Sequence, residues 1–254
     1  MQSKGRNMNI LVCLSQVPDT TTKIGFTADM RELQKSGVQF IINPYDELAL
    51  TKALELNEAT GGGTVTVVHV GGADSEPVLR KALAIGADQA VRIEAVPMDS
   101  RQVAAELAHV VQAGSYDLVL AGRESIDYNS GLVGGMLAAY LNWPLVNVAT
   151  AVAVDGPGTL AVERDMDGGR EKMTLSLPAV VTCQKELTEP RIPNMRGIMS
   201  ARTKPLQVLA PQGAAADLEL QTHALPPARQ ACRFFEPDRM EDLVEVLRQE
   251  AKVL

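Results

Sequence analysis

Short apolar runs that alternate with helix-like segments constrain the fold of this chain more than any other feature. Four of these runs predict strands, at residues 9–14, 64–70, 89–93 and 118–121. Helix signals follow along the chain, among them the Asn43-Pro44 start, the stop at Gly61-Gly62-Gly63 and the cap at Ser100. Strand and helix units repeated in this way are typical of a parallel, doubly wound sheet with right-handed crossovers.

The pattern changes after Pro144, where turn signals become frequent. Three runs next to the turns Asp155-Gly156 and Asp167-Gly168-Gly169 predict strands, at residues 146–154, 158–164 and 170–177. Such turns between strand-like runs predict an antiparallel addition. The apolar run 178–183 predicts one more strand. The predicted fold class is therefore α/β, with a doubly wound, mainly parallel, Rossmann-like sheet that binds an adenine nucleotide, an antiparallel addition and a C-terminal arm.

We expect the α/β domain to cover residues 8–209, and a linker with a C-terminal arm to cover 210–254. Within the domain, residues 189–205 look irregular and contain several prolines. The arm ends in an amphipathic segment with Leu243, Val246 and Leu247 on one face. Because a short helix beyond a linker is marginal alone, we expect the arm to pack on a partner protein.

Composition narrows the function classes. The net charge is −7 and no long basic cluster is present, which argues against nucleic-acid binding. The three cysteines have neither metal-binding nor disulfide spacing, so no metal site is expected. Cys13 and Cys183 lie in apolar runs and are predicted to be buried. The run 8–14 is too short for a membrane span or a signal peptide. These features favour the cytoplasm, or the mitochondrial matrix in a eukaryote, although no transit peptide is seen.

The segment 116–143 carries the clearest candidate site. It predicts a buried strand, then a polar loop, then an apolar helix that Asn129 or Ser130 would cap. Glycines at 131, 134 and 135 lie in or near the first helical turns. A helix N-terminus that follows a strand through small residues is suited to an anion, because free amides and the helix dipole point at the ligand. An ordinary strand-to-helix turn without a ligand explains the local pattern equally well.

Catalytic chemistry is hard to find in the sequence. No GxSxG, Walker A or HExxH motif is present. Arg123, Glu124 and Asp127 form a dense ionisable group, but a hydrogen-bonding frame for a ligand is favoured over acid–base catalysis. His69 ends a strand and either lines a ligand cleft or is a satisfied buried histidine. Asn43 either only caps a helix or also touches a ligand. The residues alone favour a protein that binds an adenine nucleotide, has a tail that packs on a partner protein, and has no catalytic residues.

Several blocks together resemble one family, the beta subunit of electron transfer flavoprotein. The matching blocks are NILVCLSQVPD, INPYDELAL, VLRKALAIGADQAVRI, AGRESIDYNSGLVGGMLAAYLNWP, LSLPAVVTC and TEPRIPNMRGIMSARTKP. Their order and spacing cover residues 8–209, and EDLVEVLRQEAKVL resembles the family's C-terminal helix. The resemblance implies a heterodimer in which the alpha subunit holds most of the FAD contacts and the beta subunit buries a structural AMP. It also implies electron transfer from flavoprotein dehydrogenases, such as acyl-CoA dehydrogenases, to a quinone reductase.

The resemblance also assigns residues. The nucleotide site it implies consists of Leu14, Ser15, Asn43, Val68, His69, Val70, Gly122, Arg123, Ser125, Asp127, Asn129, Ser130, Gly131, Leu132 and Val133. It also implies a partner-recognition loop region at residues 184–204, with Arg191, Met195, Ile198 and Met199 as recognition residues and Met195 at the docking position.

Two positions depart from the family pattern. Leu14-Ser15 stand where many members have a lysine, and Gly131-Leu132-Val133 replace an Asn-Gln-Thr run that faces the phosphate. Electron-bifurcating members bind a second FAD in this cleft, and their loop has a Val-Gly pair like Val133-Gly134. AMP is favoured and a second FAD is the alternative. A stand-alone nucleotide-binding stress or signalling domain and an ATP-dependent enzyme are the alternatives outside the family.

Overall fold

The computed structural model describes residues 7–229 and 231–254. The strands in this part of the chain are β1 Met8–Cys13, β2 Gln16–Pro18, β3 Phe40–Ile42, β4 Gly63–Val70, β5 Gln89–Ile93, β6 Leu118–Gly122, β7 Leu145–Gly156, β8 Thr159–Met166, β9 Gly169–Ser176, β10 Ala179–Cys183 and β11 Leu206–Leu209. The α-helices are α1 Pro44–Thr60, α2 Glu76–Ile85, α3 Ser100–Ala113, α4 Val133–Leu141, α5 Met195–Ala201 and α6 Met240–Gln249.

One nine-stranded sheet organises the molecule, in the order β11-β5-β4-β1-β6-β10-β7-β8-β9. The strands from β11 to β7 pair in parallel, and β8 and β9 extend the sheet antiparallel. The predicted mainly parallel sheet with an antiparallel addition is therefore confirmed. The chain moves outward from β1 through β4 to β5 and then returns to β6 on the other side of β1. This reversal places a topological switch point between β1 and β6.

The helices cover both faces of the parallel strands. Apolar side chains of α1 and α2 pack with one set of alternate strand residues, which includes Ile10 and Val67. Side chains of α3 and α4 pack with the other set, which includes Leu11 and Val68. Burial on both faces explains why these strands are apolar throughout rather than alternating. Cys13 and Cys183 are buried in this core, as predicted.

Three local predictions need correction. The helix after the polar loop begins at Val133 with Leu132 as its N-cap residue, so neither Asn129 nor Ser130 caps it. Asn129 instead has a positive φ of 51°. Part of the segment predicted to be irregular is helical, since α5 runs from Met195 to Ala201. β11 was not predicted, and it pairs in parallel with β5 at one edge of the sheet.

The residues after β11 run back over the domain before they reach the arm. Residues 210–229 contain no regular secondary structure, but several of their amide groups donate hydrogen bonds to α3. Within the described part of the chain no residue of α6 is fully buried, and Leu243, Val246 and Leu247 on its apolar face are half-buried. Within the described residues, no helix has both the length and the apolar character that crossing a bilayer requires.

Candidate functional site

A cleft of about 560 Å³ opens at the switch point between β1 and β6. Its floor is formed by the carboxyl ends of these two strands, and its sides are formed by the N-terminal turns of α3 and α4. In open α/β sheets, ligands bind in the crevice at this position. The volume lies within the range of small-molecule and cofactor sites. Apolar side chains such as Val70, Leu107 and Val133 line the interior, and polar groups lie around it.

Asp46 joins the two strand ends that form the floor. Its Oδ2 accepts the backbone N–H of Ser15 at 2.6 Å, and its Oδ1 accepts the backbone N–H of Gly122 at 2.9 Å. Burial raises the pKa of this carboxyl to about 7, although hydrogen bonds from Ser15, Asn43 and Gly122 oppose the shift. Gly122 is required here, because a Cβ atom would lie 2.3 Å from Asp46 Oδ1.

Asn43 supports the loop that forms one wall of the cleft. It is the N-cap residue of α1, as predicted, but its side chain makes no capping hydrogen bond. Its Nδ2 donates to the carbonyl of Glu124 at 2.8 Å, and its Oδ1 accepts the N–H of Ile126 at 3.2 Å. Because Asn43 is fully buried, it fixes the loop from behind rather than lining the cleft.

The N-terminus of α4 points its first turn at the cleft. No described side chain caps this helix, and the first backbone N–H groups of a helix have no partner within it. Gly134 allows α4 to pack closely on β10, since a Cβ atom there would lie 2.3 Å from Thr182 Cγ2. Ser130 Oγ bonds Ser100 Oγ at 2.7 Å and so links the loop before α4 to the start of α3. Free amides in the first turn are suited to an anion.

The charged side chains of the cleft are mostly acidic. Two arginines and five carboxyl groups line it, namely Arg101, Arg123, Asp46, Asp99, Glu124, Asp127 and Asp217. Arg123 is 3.2 Å from Glu124 and lies over the ring of Tyr45 at 5.7 Å. Arg101 pairs with Asp217. Both guanidinium groups thus have acidic partners, and the backbone amides at the start of α4 are further donors that the cleft offers to an anion.

The structure brings together ten of the fifteen nucleotide-site residues expected from the sequence. Leu14, Ser15, Val70, Gly122, Arg123, Ser125, Asp127, Ser130, Leu132 and Val133 line the cleft. The other five, Asn43, Val68, His69, Asn129 and Gly131, are not among its lining residues. His69 is buried, and its Nδ1 lies 2.9 Å from the carbonyl oxygen of Leu14. Burial lowers the pKa of His69, consistent with a satisfied core histidine.

Several residues of the cleft were not expected from the sequence. One of them is Asp46, an acidic residue in the first turn of α1. Residues 97–101 lie after β5 and lead into α3, and their position at the carboxyl edge of the sheet was a usable signal. Asp217 and Leu218 reach the cleft from the predicted linker. They lie more than 100 residues after Asp99, which they contact, and no local pattern pointed to them.

The expected recognition residues lie on a separate surface beside α1 and α2. Arg191 forms two hydrogen bonds with Glu58, at 2.7 and 2.8 Å, and its backbone N–H donates to Thr51. Met195 is 73% exposed and begins α5. Ile198 and Met199 are also exposed. The segment is thus anchored at Arg191 and presents apolar side chains to the outside.

The helix α5 is fixed on α2 by reciprocal hydrogen bonds at the helix ends. Arg80 on α2 donates to the carbonyl of Ala201 at 3.0 Å, at the end of α5. Lys204 donates to the carbonyls of Leu83 and Ala87, at the end of α2, at 3.0 and 2.6 Å. These contacts satisfy carbonyl groups that a helix end leaves without partners.

Comparison with known proteins identifies the family of this chain. The family profile described as "Electron transfer flavoprotein domain" matches residues 32–213. The "Electron transfer flavoprotein subunit beta" of Bacillus subtilis (strain 168) is 38% identical over 261 residues, which cover 97% of this chain and 100% of that protein. The protein of the same name from Homo sapiens is 34% identical over 255 residues, covering 97% and 99%. A relative from Oryza sativa subsp. indica, named as mitochondrial, is 34% identical over 256 residues, covering 97% and 100%. The chain belongs to the electron transfer flavoprotein family, as a beta subunit.

Proposed function

We propose that this chain binds AMP in the cleft between β1 and β6 and pairs with an alpha subunit that holds most of the FAD contacts. The heterodimer carries electrons from flavoprotein dehydrogenases, such as acyl-CoA dehydrogenases, to a quinone reductase. The chain supplies binding surfaces rather than a catalytic step. The observation that carries the nucleotide proposal is the cleft itself, which lies at the switch point and has the first turn of α4 at its side.

The donor set fits an adenine nucleotide. The base would lie against the apolar interior, which includes Val70 and Leu107. The phosphate would bind the amides at the start of α4, where Leu132 and Val133 offer only backbone donors and Ser130 adds a hydroxyl. Carboxylates on the rim would accept hydrogen bonds from the ribose hydroxyls, as acidic residues do in related sheets.

One feature supports a second candidate, a second FAD in the same cleft. Met98, Tyr128 and Leu132 line the mouth of the cleft and are exposed. Exposed apolar groups around a pocket mark a surface that a ligand or a partner covers. A ligand longer than AMP, with a flat ring system, would cover them, which would make the chain a subunit of an electron-bifurcating flavoprotein.

Counting the bound nucleotides tests both candidates. We would co-express the chain with its alpha subunit, denature the purified complex, and determine FAD and AMP per heterodimer by chromatography. One FAD and one AMP are expected. Two FAD without AMP would replace the first candidate by the second. A complex that contains no adenine nucleotide beyond one FAD would contradict a nucleotide in this cleft.

We also propose that Met195 docks into an apolar pocket of the dehydrogenase. Its exposure on an anchored segment supports this role, because a flexible thioether adapts to pockets of different shape. Met195→Ala should lower kcat/KM for electron transfer from an acyl-CoA dehydrogenase, while Met195→Leu retains most of it. The matched control is Met166→Ala, which removes an exposed methionine from β8. Equal rates for Met195→Ala and the control would refute the docking role.

A further inference from the structure

The segment 212–218, which we call the strap, lies along α3 and is held there by side chains of that helix. Glu106 is buried, and its carboxylate accepts the backbone N–H of Gln212 at 2.8 Å and of Ala214 at 2.9 Å. Gln102 donates from Nε2 to the carbonyl of Ala214 at 3.0 Å. The backbone of the strap is therefore bound to α3 without being part of a helix or a strand.

Asp99 binds the strap at the mouth of the cleft while it caps α3. Its Oδ1 accepts the N–H of Gln102 at 2.7 Å, which is the N-cap hydrogen bond. Its Oδ2 accepts the N–H of Asp217 at 2.6 Å and of Leu218 at 3.1 Å. One oxygen atom thus serves the helix and the other serves the strap.

The end of the strap forms part of the cleft wall. Asp99, Asp217 and Leu218 all line the cleft. Arg101 pairs with the carboxylate of Asp217 and donates to the carbonyl of Ala215 at 2.6 Å. Beyond the strap, the ring of His223 stacks on Phe26 at 4.5 Å, and the backbone N–H of His223 donates to the carbonyl of Met30 at 2.7 Å. The chain is therefore anchored both within the strap and at His223, five residues after it.

The strap buries little apolar surface against α3. Gly213 and the alanines 214–216 bury almost no side-chain surface, and Leu218 is largely exposed. Its attachment depends on polar contacts, most of which water can replace. Segments with few buried apolar contacts open locally at low free-energy cost.

We infer that the strap is the gate of the cleft, with Asp99 as the latch that closes it. This inference rests on the proposed function, in which a nucleotide occupies the cleft. A ligand enters and leaves when the strap separates from α3, and closure over the bound ligand traps it. Asp99 is a positioning residue in this scheme, since it acts through the strap.

Asp99→Asn tests the latch without removing the helix cap. Asparagine retains one oxygen for the N–H of Gln102, and it is a good N-cap residue. Its amide nitrogen cannot accept the N–H groups of Asp217 and Leu218. We would measure exchange of the fluorescent analogue etheno-AMP by stopped flow on the full-length chain in complex with its alpha subunit. Both the association and the dissociation rate constants should rise by roughly tenfold, since the gate is open more often.

Glu106→Gln provides the decisive second variant. Glu106 does not line the cleft, and glutamine can accept only one of the two strap amides, so an effect on exchange must pass through the strap. Both rate constants should again rise, and hydrogen exchange of the amides in 212–218 should quicken in both variants. Asp167→Asn, in an exposed turn, is the matched control and should leave exchange unchanged.

Each other outcome overturns the gate. Wild-type rates in both variants, with etheno-AMP still bound, would refute it and leave the proposed function intact. A faster dissociation in Asp99→Asn alone, with unchanged association, would make Asp99 a simple ligand contact. A wild-type complex that neither contains nor binds an adenine nucleotide in this chain would overturn the proposed nucleotide site and the gate together.

Discussion

Asp46 accepts the backbone N–H of Gly122 at 2.9 Å, so the first turn of α1 holds the carboxyl end of β6. The other oxygen of Asp46 accepts the N–H of Ser15 at 2.6 Å, just beyond β1. One carboxyl group therefore sets the separation of the two strand ends between which the cleft opens. Since these donors are backbone groups, the shape of the floor depends on Asp46 rather than on the side chains that line the cleft.

Asp46→Asn should destabilise the fold, because asparagine offers one acceptor where two N–H groups need one each. The unmatched N–H of Ser15 or Gly122 would then face an amide nitrogen. Leaving a buried donor without a partner costs about 1–3 kcal/mol. Urea unfolding of the heterodimer measures the loss, with Asp167→Asn in an exposed turn as the control. Equal midpoints for the two variants would contradict the bridging role.

The cost of Asp46→Asn should also depend on pH. Burial raises the pKa of Asp46 to about 7 in the folded state, whereas an unfolded aspartate has a pKa of about 3.9. The folded state thus binds the carboxyl proton of Asp46 more tightly than the unfolded state does. The stabilisation that comes from this proton is therefore complete below pH ~4. It declines as pH rises from there through about 7. The loss caused by Asp46→Asn should therefore be larger at pH 5 than at pH 8.

Unfolding curves of wild type and Asp46→Asn across this pH range provide the test. The neighbouring thiols of Cys13 and Cys183 do not add to the pH dependence, because burial raises their pKa and keeps them neutral. Carboxyl groups whose pKa is lowered, such as Asp74 and Asp99, have the opposite pH dependence but are present in both proteins. A difference that is constant between pH 5 and pH 8 would rule out a raised pKa at Asp46.

The sheet could be predicted from sequence because its signals are local. The apolar run in β6 reflects burial on both faces, and Pro44 reflects the free first position of a helix. β11 was missed because none of its four residues is fully buried, and its neighbour in the sheet is β5 alone. A short edge strand of this kind depends on a pairing that local sequence does not encode.

The cleft could be predicted only in part, because some of its contacts join residues that are far apart in sequence. Its position followed from strand ends and from the helix start near Val133. The cap was wrong because Asn129 has a left-handed backbone and Ser130 bonds Ser100 instead. The contact of Asp99 with Leu218 joins residues 119 positions apart, and a linker rich in alanine carries no periodic signal that would reveal it.

Gly134→Ala should destabilise the contact between α4 and β10. The new Cβ atom would lie 2.3 Å from Thr182 Cγ2, and overpacking of this kind costs roughly 1–3 kcal/mol. Thr182→Ser should relieve the clash, because serine lacks the methyl group but keeps the hydroxyl that bonds Asn147 and Val148. A double-mutant cycle by urea unfolding measures the coupling. If the two changes are simply additive, the close contact does not limit packing.

Gly197→Ala should impair the proposed docking of Met195 and leave the proposed nucleotide site unaffected. Gly197 lies in α5, and a Cβ atom there would be 2.3 Å from the carbonyl oxygen of Ala84 on α2. Because the obstacle is backbone, α5 must shift, and Met195 shifts with it. We expect kcat/KM with an acyl-CoA dehydrogenase to fall several-fold while the nucleotide content of the complex stays at the wild-type level. Gly169→Ala, where a Cβ atom meets nothing within 4 Å, is the control. An unchanged kcat/KM in Gly197→Ala would show that the position of α5 does not govern docking.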